Sequence, residues 1–185
     1  MAVPPPAPMT DKAALRAAMR TARLAFPPAP LSLYPEFLTR LRRGMVVAIY
    51  RPMPGEADPT PLAEAALRAG CALALPRVER RDQPMRFLRW ENDAALAPGP
   101  FGIEQPPADA PAVAPDVVLT PLLAFDRGGR RLGQGAGYYD AAFAGLPNAW
   151  RVGVAWSVQE TPCIPTDAWD VPLQAITTEK EWITP

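Results

Sequence analysis

An apolar run over residues 117–125 leads straight into a segment that holds five of the chain's twelve glycines, from Gly128 to Gly137. The segment reads Phe125-Asp126-Arg127-Gly128-Gly129-Arg130-Arg131-Leu132-Gly133-Gln134-Gly135-Ala136-Gly137-Tyr138-Tyr139-Asp140. A short helical pattern over residues 138–146 follows it. Strand, glycine-rich turn and helix in that order form half of a βαβ unit and predict an α/β fold. Clustered glycines let backbone N–H groups converge on one anion, and a helix start adds partial positive charge. Arginines in front and an aspartate behind favour a phosphate grip over a flexible connection. The segment lacks the Gly-Lys-Ser/Thr ending of a P-loop. Gly133-x-Gly135-x-Gly137 also lacks the spacing of a dinucleotide fingerprint.

Elsewhere the pattern alternates. A helix is expected over residues 11–26, capped by Asp11, with an apolar stripe of Leu15, Ala18, Met19, Ala22 and Phe26. Prolines 27, 28 and 30 end it. A second helix is expected over residues 31–43, closed by Gly44. Residues 45–50 form a buried-type strand, residues 51–58 a loop, and Asp58 opens a third helix that stops at Gly70. Strands follow at 71–75, 85–90, 151–156 and 174–178, with a proline-broken loop over 91–116. The fold expected is a three-layer α/β/α sandwich around a mainly parallel, Rossmann-like sheet. Residues 11–185 form one domain, and residues 1–10 form a proline-rich disordered tail in which Met9 is an alternative start. That tail has no basic start and no apolar centre, unlike a signal peptide.

Composition narrows the chemistry. Lysine plus arginine equals aspartate plus glutamate at 19 each, so no basic excess points to nucleic acid or an anionic membrane. No apolar run approaches the length of a membrane span. Two distant cysteines, Cys71 and Cys163, suit a reduced, cytoplasmic protein, and a monomer is expected. Histidine is absent. That removes Ser-His-Asp and Cys-His nucleophile systems, histidine acid–base catalysis and most zinc sites. A metal would be a hard ion such as magnesium, held by carboxylates. Phosphoryl transfer fits, because the protein mainly positions reactants and neutralises charge.

Four further sets of residues are candidates. Lys12, Arg16, Arg20 and Arg23 form a basic stripe on the first helix. Beside a phosphate loop, Lys12 and Arg16 could clamp a polyphosphate, while Arg20 and Arg23 are expected on the surface. Glu56 lies in the loop after the first strand, where α/β sheets bind ligands, or is a solvated loop carboxylate. Asp140 and Asp170 are candidate magnesium ligands, or a helix-dipole partner and a turn residue respectively. Tyr138, Tyr139, Trp150, Trp156 and Trp169 are expected mostly in the core, with one or two free to wall a flat substrate.

These residues together resemble a known family. Leu119-Thr120-Pro121-Leu122-Leu123-Ala124-Phe125-Asp126 followed by Arg130-Arg131-Leu132-Gly133-Gln134-Gly135-Ala136-Gly137-Tyr138-Tyr139-Asp140 is similar to the signature of the 5-formyltetrahydrofolate cyclo-ligases. Weaker matches in the same order are Lys12-x-x-Leu15-Arg16, Tyr50 to Pro61, Leu75-Pro76-Arg77-Val78, Met85-Arg86-Phe87, Phe101-Gly102-Ile103-x-Gln105-Pro106 and Asp170-Val171-Pro172-Leu173. The resemblance implies conversion of 5-formyltetrahydrofolate to 5,10-methenyltetrahydrofolate, with ATP as co-substrate and Mg2+ required. It implies an ATP grip of Lys12, Arg16, Arg131, Leu132, Gly133, Gln134, Gly135, Ala136, Gly137, Tyr138 and Tyr139. Lys12 and Arg131 would be the catalytic cations. Arg51 and Glu56 would contact the folate, which meets the nucleotide at Gln134, Gly135, Ala136, Gly137 and Tyr138. Asp140 and Asp170 would hold the magnesium. The chain departs from many relatives at Trp169, where they carry histidine, and at Ala141, where they carry arginine. A non-catalytic nucleotide- or folate-binding homologue is one alternative. A sugar-phosphate isomerase or transferase with Glu56 as its base is another.

Overall fold

A computed structural model describes residues 11–80, 82–91 and 94–185. The expected tail over residues 1–10, Met9 included, lies outside the described residues. The α-helices among the described residues are α1 (Lys12–Ala25), α2 (Pro35–Leu38), α3 (Thr60–Arg68) and α4 (Tyr138–Ala144). The strands are β1 (Val46–Ala48), β2 (Ala72–Arg77), β3 (Arg86–Trp90), β4 (Ala97–Pro98), β5 (Glu104–Gln105), β6 (Val117–Pro121), β7 (Ala124–Phe125), β8 (Arg131–Leu132), β9 (Trp150–Val154), β10 (Ala175–Thr177) and β11 (Trp182–Ile183).

Seven strands make the central sheet in the order β11-β10-β9-β6-β1-β2-β3. The pairs β1–β2, β1–β6, β6–β9 and β9–β10 are parallel, and β3 and β11 close the edges antiparallel. Alternate residues serve two cores. Val47, Leu73, Val117 and Val152 pack with Phe37 of α2 and Leu62 of α3. Ala48, Ala74 and Val118 face the other way, toward Phe143 of α4. Strands buried on both faces read as unbroken apolar runs, which is why β1 and β6 stand out in the sequence. The result is the expected three-layer α/β/α arrangement. Counting only the parallel strands in chain order, their spatial order is 2-1-3-4-5. The winding reverses between β1 and β6, and ligands bind at such a reversal, beyond the carboxyl ends of the strands.

Several local expectations change. Residues 31–43 yield only the single turn α2. Pro35 occupies its first turn and Tyr34 before it is extended, as a residue preceding proline prefers to be. Residues 91–116 are not all loop, because β4 and β5 pair into a small ribbon. The run over residues 117–125 is two strands. β6 ends at Pro121, and β7 turns back to pair antiparallel with β8. The front of the glycine segment is therefore the turn of a hairpin. Asp126 is buried there, and its Oδ1 accepts from Gly128 N at 3.0 Å and Arg130 N at 3.1 Å. Its Oδ2 accepts from Ile164 N at 3.0 Å. Gly129 has φ +81°, and a Cβ there would lie 2.5 Å from the Leu173 carbonyl oxygen. Gly128 and Gly129 thus serve the turn, and Arg127 is spent on Glu160 and Glu181.

Asp126→Ala should strand three backbone donors and cost roughly 3 kcal/mol. Thermal unfolding should show a melting temperature lower by about 10 °C. An unchanged midpoint would contradict the turn assignment.

Candidate active site

At the reversal between β1 and β6 lies a cavity of about 660 Å³. Four stretches of chain bring the expected residues to it. α1 contributes Lys12 and Arg16, and the turn before Val171 contributes Asp167, Trp169 and Asp170. The chain leaving β1 contributes Tyr50, Arg51, Met53 and Glu56. Every residue from Arg131 to Asp140 lines it as well. Each sequence-predicted site residue therefore borders this one space. Its far wall was not anticipated. Pro76, Val78, Met85 and Ile103 form an apolar face, and Gln105 borders it. The Gln105 side-chain amide is fixed by accepting from Val78 N at 3.1 Å and donating to Val78 O at 3.3 Å.

The cations meet carboxylates of the chain itself. Lys12 Nζ donates to Asp167 Oδ2 at 2.6 Å and Asp170 Oδ2 at 2.9 Å. Burial lowers the Lys12 pKa, but the two aspartates outweigh it and leave the ammonium above its ordinary value. Burial also works against ionised Asp170, yet the Asp167 N–H, Lys12 and Arg131 hold its carboxyl below the ordinary range. Arg131 is the most enclosed cation of the cavity, with its side chain 5% exposed. It donates to Asp140 Oδ1 at 2.6 Å and to the Val171 carbonyl, and its guanidinium lies 4.9 Å from the Phe143 ring centroid. Burial pulls the Arg131 pKa down and Asp140 opposes that pull. Asp140 Oδ1 also accepts from Val171 N at 3.0 Å. Arg16 Nε donates to Gly133 O at 3.0 Å, and Arg20 donates to Gln134 Oε1 at 3.0 Å. These bonds pin the glycine segment to α1. Gly135 packs beneath Arg16 with φ +109°, a conformation that favours glycine.

Two predicted placements fail. Arg23 was expected on the surface, but it is 3% exposed and pairs with Glu56 at 3.1 Å. Trp169 was expected in the core, but it is 71% exposed at the cavity rim. Asp140 and Asp170 both border the cavity, the first paired with Arg131 and the second with Lys12. Asp167, which pairs with Lys12, was missed altogether. Its only signal is a third carboxylate three residues before Asp170. Arg51 pairs loosely with Glu104 at 3.7 Å. Burial raises the Glu56 pKa above its ordinary value, while the Met53 N–H and Arg23 pull it back. The arrangement offers a cationic end suited to phosphates, an apolar wall, and a buried carboxylate on one cavity.

Known proteins are similar to this chain in sequence and fold. A sequence model of the 5-formyltetrahydrofolate cyclo-ligase family matches residues 31–179. A 5-formyltetrahydrofolate cyclo-ligase of Escherichia coli K12 is 35% identical over 144 residues, covering 74% of this chain and 79% of that protein. One from Mycolicibacterium smegmatis is 31% identical over 150 residues, covering 76% of each. The solution structure of Aquifex aeolicus 5,10-methenyltetrahydrofolate synthetase is 32% identical and superposes with a TM-score of 0.74, covering 94% of this chain and 92% of that one. The chain belongs to the 5-formyltetrahydrofolate cyclo-ligase family.

Proposed function

We propose that the cavity is the active site of an ATP-dependent enzyme that converts 5-formyltetrahydrofolate to 5,10-methenyltetrahydrofolate with release of ADP and phosphate. The observation that carries this is the meeting, in one cavity, of the cationic end at Lys12, Arg16 and Arg131 with an apolar wall and Glu56. In the reaction, the formyl oxygen attacks the γ-phosphorus of ATP, and ADP leaves. N10 then attacks the formyl carbon of the resulting iminophosphate. That attack closes the ring, and loss of the N10 proton to solvent and of phosphate carrying the former formyl oxygen leaves the methenyl product. An amide-like oxygen is a poor leaving group until it is phosphorylated, and no protein nucleophile is needed.

The chain's own groups act by position and charge. Lys12 and Arg131 neutralise the charge that spreads over the transferring phosphoryl group. Arg16 and the stretch Leu132-Gly133-Gln134-Gly135-Ala136-Gly137 line the polyphosphate, with Tyr138 and Tyr139 at its end. Glu56 accepts hydrogen bonds from the donor edge of the pterin, and Arg51 contacts the folate further out. Met53, Val78, Met85 and Ile103 cover the ring and exclude water that would hydrolyse the phosphorylated intermediate.

Asp140 and Asp170 suit magnesium as a donor set. Among the described residues the hydrogen bonds to Asp140 fall on Oδ1, and those to Asp170 fall on Oδ2. Each carboxylate therefore keeps a second oxygen outside those bonds. Among the described residues no cluster of three or more candidate metal ligands occurs. Magnesium needs none, because it takes one or two carboxylates and fills its shell with water and substrate phosphates. When bound it supplies charge neutralisation at the phosphates.

In this reading residues 11–185 form one catalytic domain that works as a monomer in the cytoplasm on small molecules. No helix among the described residues is long and apolar enough to cross a membrane. The alternatives are not favoured. A binding-only homologue leaves the shared cationic and acidic set without a role. An isomerase would need Glu56 as a base, but Arg23 and the Met53 N–H already engage it.

Mixing protein, ATP, Mg2+ and 5-formyltetrahydrofolate should produce the methenyl-folate absorbance band, and omission of ATP should abolish it. No band would refute the proposal. Arg131→Ala should lower kcat about 100-fold, as loss of a transition-state donor does, and raise the ATP KM. Kinetics unchanged in both would exclude Arg131 from the phosphate grip. Asp140→Asn should shift the magnesium titration midpoint upward by about tenfold or more. An unshifted midpoint would remove Asp140 from the metal site.

A further inference from the structure

Arg23 is a buried arginine that the phosphate chemistry does not call for. It sits in the last turn of α1 and is 3% exposed. Its Nη1 donates to Glu56 Oε1 at 3.1 Å, and Glu56 Oε2 accepts from Met53 N at 3.0 Å. One carboxylate oxygen is thus held by the helix and the other by the carboxylate's own loop. The loop is strapped down at the same place. The Trp156 indole donates to Gly55 O at 2.9 Å, Phe26 stacks on Trp156 at 5.5 Å, and the Tyr50 hydroxyl donates to Ala57 O.

The pair is an expensive way to join a helix to a loop. Buried ion pairs are often replaced by apolar residues at no loss of stability. Here the arginine also leaves its Nε buried without a hydrogen-bond partner, which carries a desolvation cost of its own. Packing alone does not explain an arginine at this position, whereas a requirement on the carboxylate does. An ionised carboxylate has about four acceptor sites. Arg23 and the Met53 N–H use one on each oxygen, leaving each oxygen able to accept once more. That matches a ring edge presenting two adjacent N–H donors.

We infer that Arg23 is a positioning residue for folate recognition: it holds Glu56 ionised and aimed, so that both oxygens accept from the ring's donor edge. This rests on the proposed role of the cavity. The surroundings define the role further. Tyr50 beyond β1, Tyr139 of α4 and Asp58 of the same loop are the other titratable groups around this carboxylate. Burial pushes both phenols well up, so they stay neutral, and Asp58 is spent capping α3 through Thr60. Arg23 supplies the positive charge from α1. Without it, burial would drive the Glu56 carboxyl further up. A protonated acid would offer the ring one acceptor fewer. The contribution of Glu56 would then be lost as pH falls through that raised value.

The test is steady-state kinetics of the full chain across pH for wild type, Arg23→Met, Arg23→Lys, Glu56→Gln and the double variant. Arg23→Met should raise the 5-formyltetrahydrofolate KM about tenfold, in line with loss of a charge-assisted contact. It should leave the ATP KM within about twofold, as independent sites do. The acid limb of kcat/KM for folate should move to higher pH, and Arg23→Lys should return it. A wild-type folate KM and acid limb in Arg23→Met would overturn the inference, as would an equal rise in both substrate KM values. If Arg23→Met is too unstable to assay, the double variant decides. It should match Glu56→Gln alone in folate KM and pH profile, and a further rise would overturn the role. If Glu56→Gln itself leaves the folate KM unchanged, the reading of the cavity fails first. If Glu56→Gln raises it and Arg23→Met does not, only the positioning role fails.

Discussion

The Arg131 guanidinium is almost sealed from water, and a charge so placed must be neutralised locally or the fold loses several kcal/mol. With its two hydrogen-bond partners it joins three parts of the chain. Arg131 itself is on β8, Asp140 is in the first turn of α4, and Val171 follows the 167–170 turn. Satisfying that one charge docks the hairpin, the helix and the turn against one another. The cavity border follows from it. The glycine segment must run between Arg131 and Asp140, while Arg16 and Arg20 tie its middle to α1. The site is therefore held by side-chain bonds across the sheet's carboxyl edge as well as by the core beneath.

Charge balance runs through the same contacts. Lys12 is matched by Asp167 and Asp170, Arg131 by Asp140, and Arg23 by Glu56. A polyphosphate entering the proposed site competes with chain carboxylates for the first two. A divalent cation taking up Asp140 and Asp170 would favour that exchange, because each ion releases a partner for the other. Binding of nucleotide and metal would then be mutually supportive, and any such coupling is reciprocal. The Arg23–Glu56 pair is different in kind. Arg23 is buried behind Glu56, which itself lines the cavity, and the pair is set to orient rather than to exchange.

Much of this was legible in the sequence, for identifiable reasons. β1 and β6 are buried on both faces, so they read as apolar runs. The stretch from Arg131 to Asp140 carries the spacing of its family. Local pattern misled where a distant contact decided the outcome. Arg23 continues a basic stripe that suits a solvated face, and only Glu56, 33 residues on, makes it internal. Asp167 meets Lys12 across 155 residues, which no periodicity encodes. The front glycines looked like part of a cradle because nothing local tells a hairpin turn from an anion loop. Buried Asp126 makes the difference, and its third partner is Ile164. Edge strand β11 was missed because two residues are too short to carry an alternation.

The central claim is that this cavity brings a formyl oxygen onto the γ-phosphorus of ATP. Its most direct test is to run single turnovers with 5-formyltetrahydrofolate labelled with 18O at the formyl oxygen. Mass spectrometry of the inorganic phosphate released with ADP then reads the outcome. The account predicts that each phosphate carries the formyl 18O atom. Phosphate without label, formed alongside methenyl-folate, would contradict it.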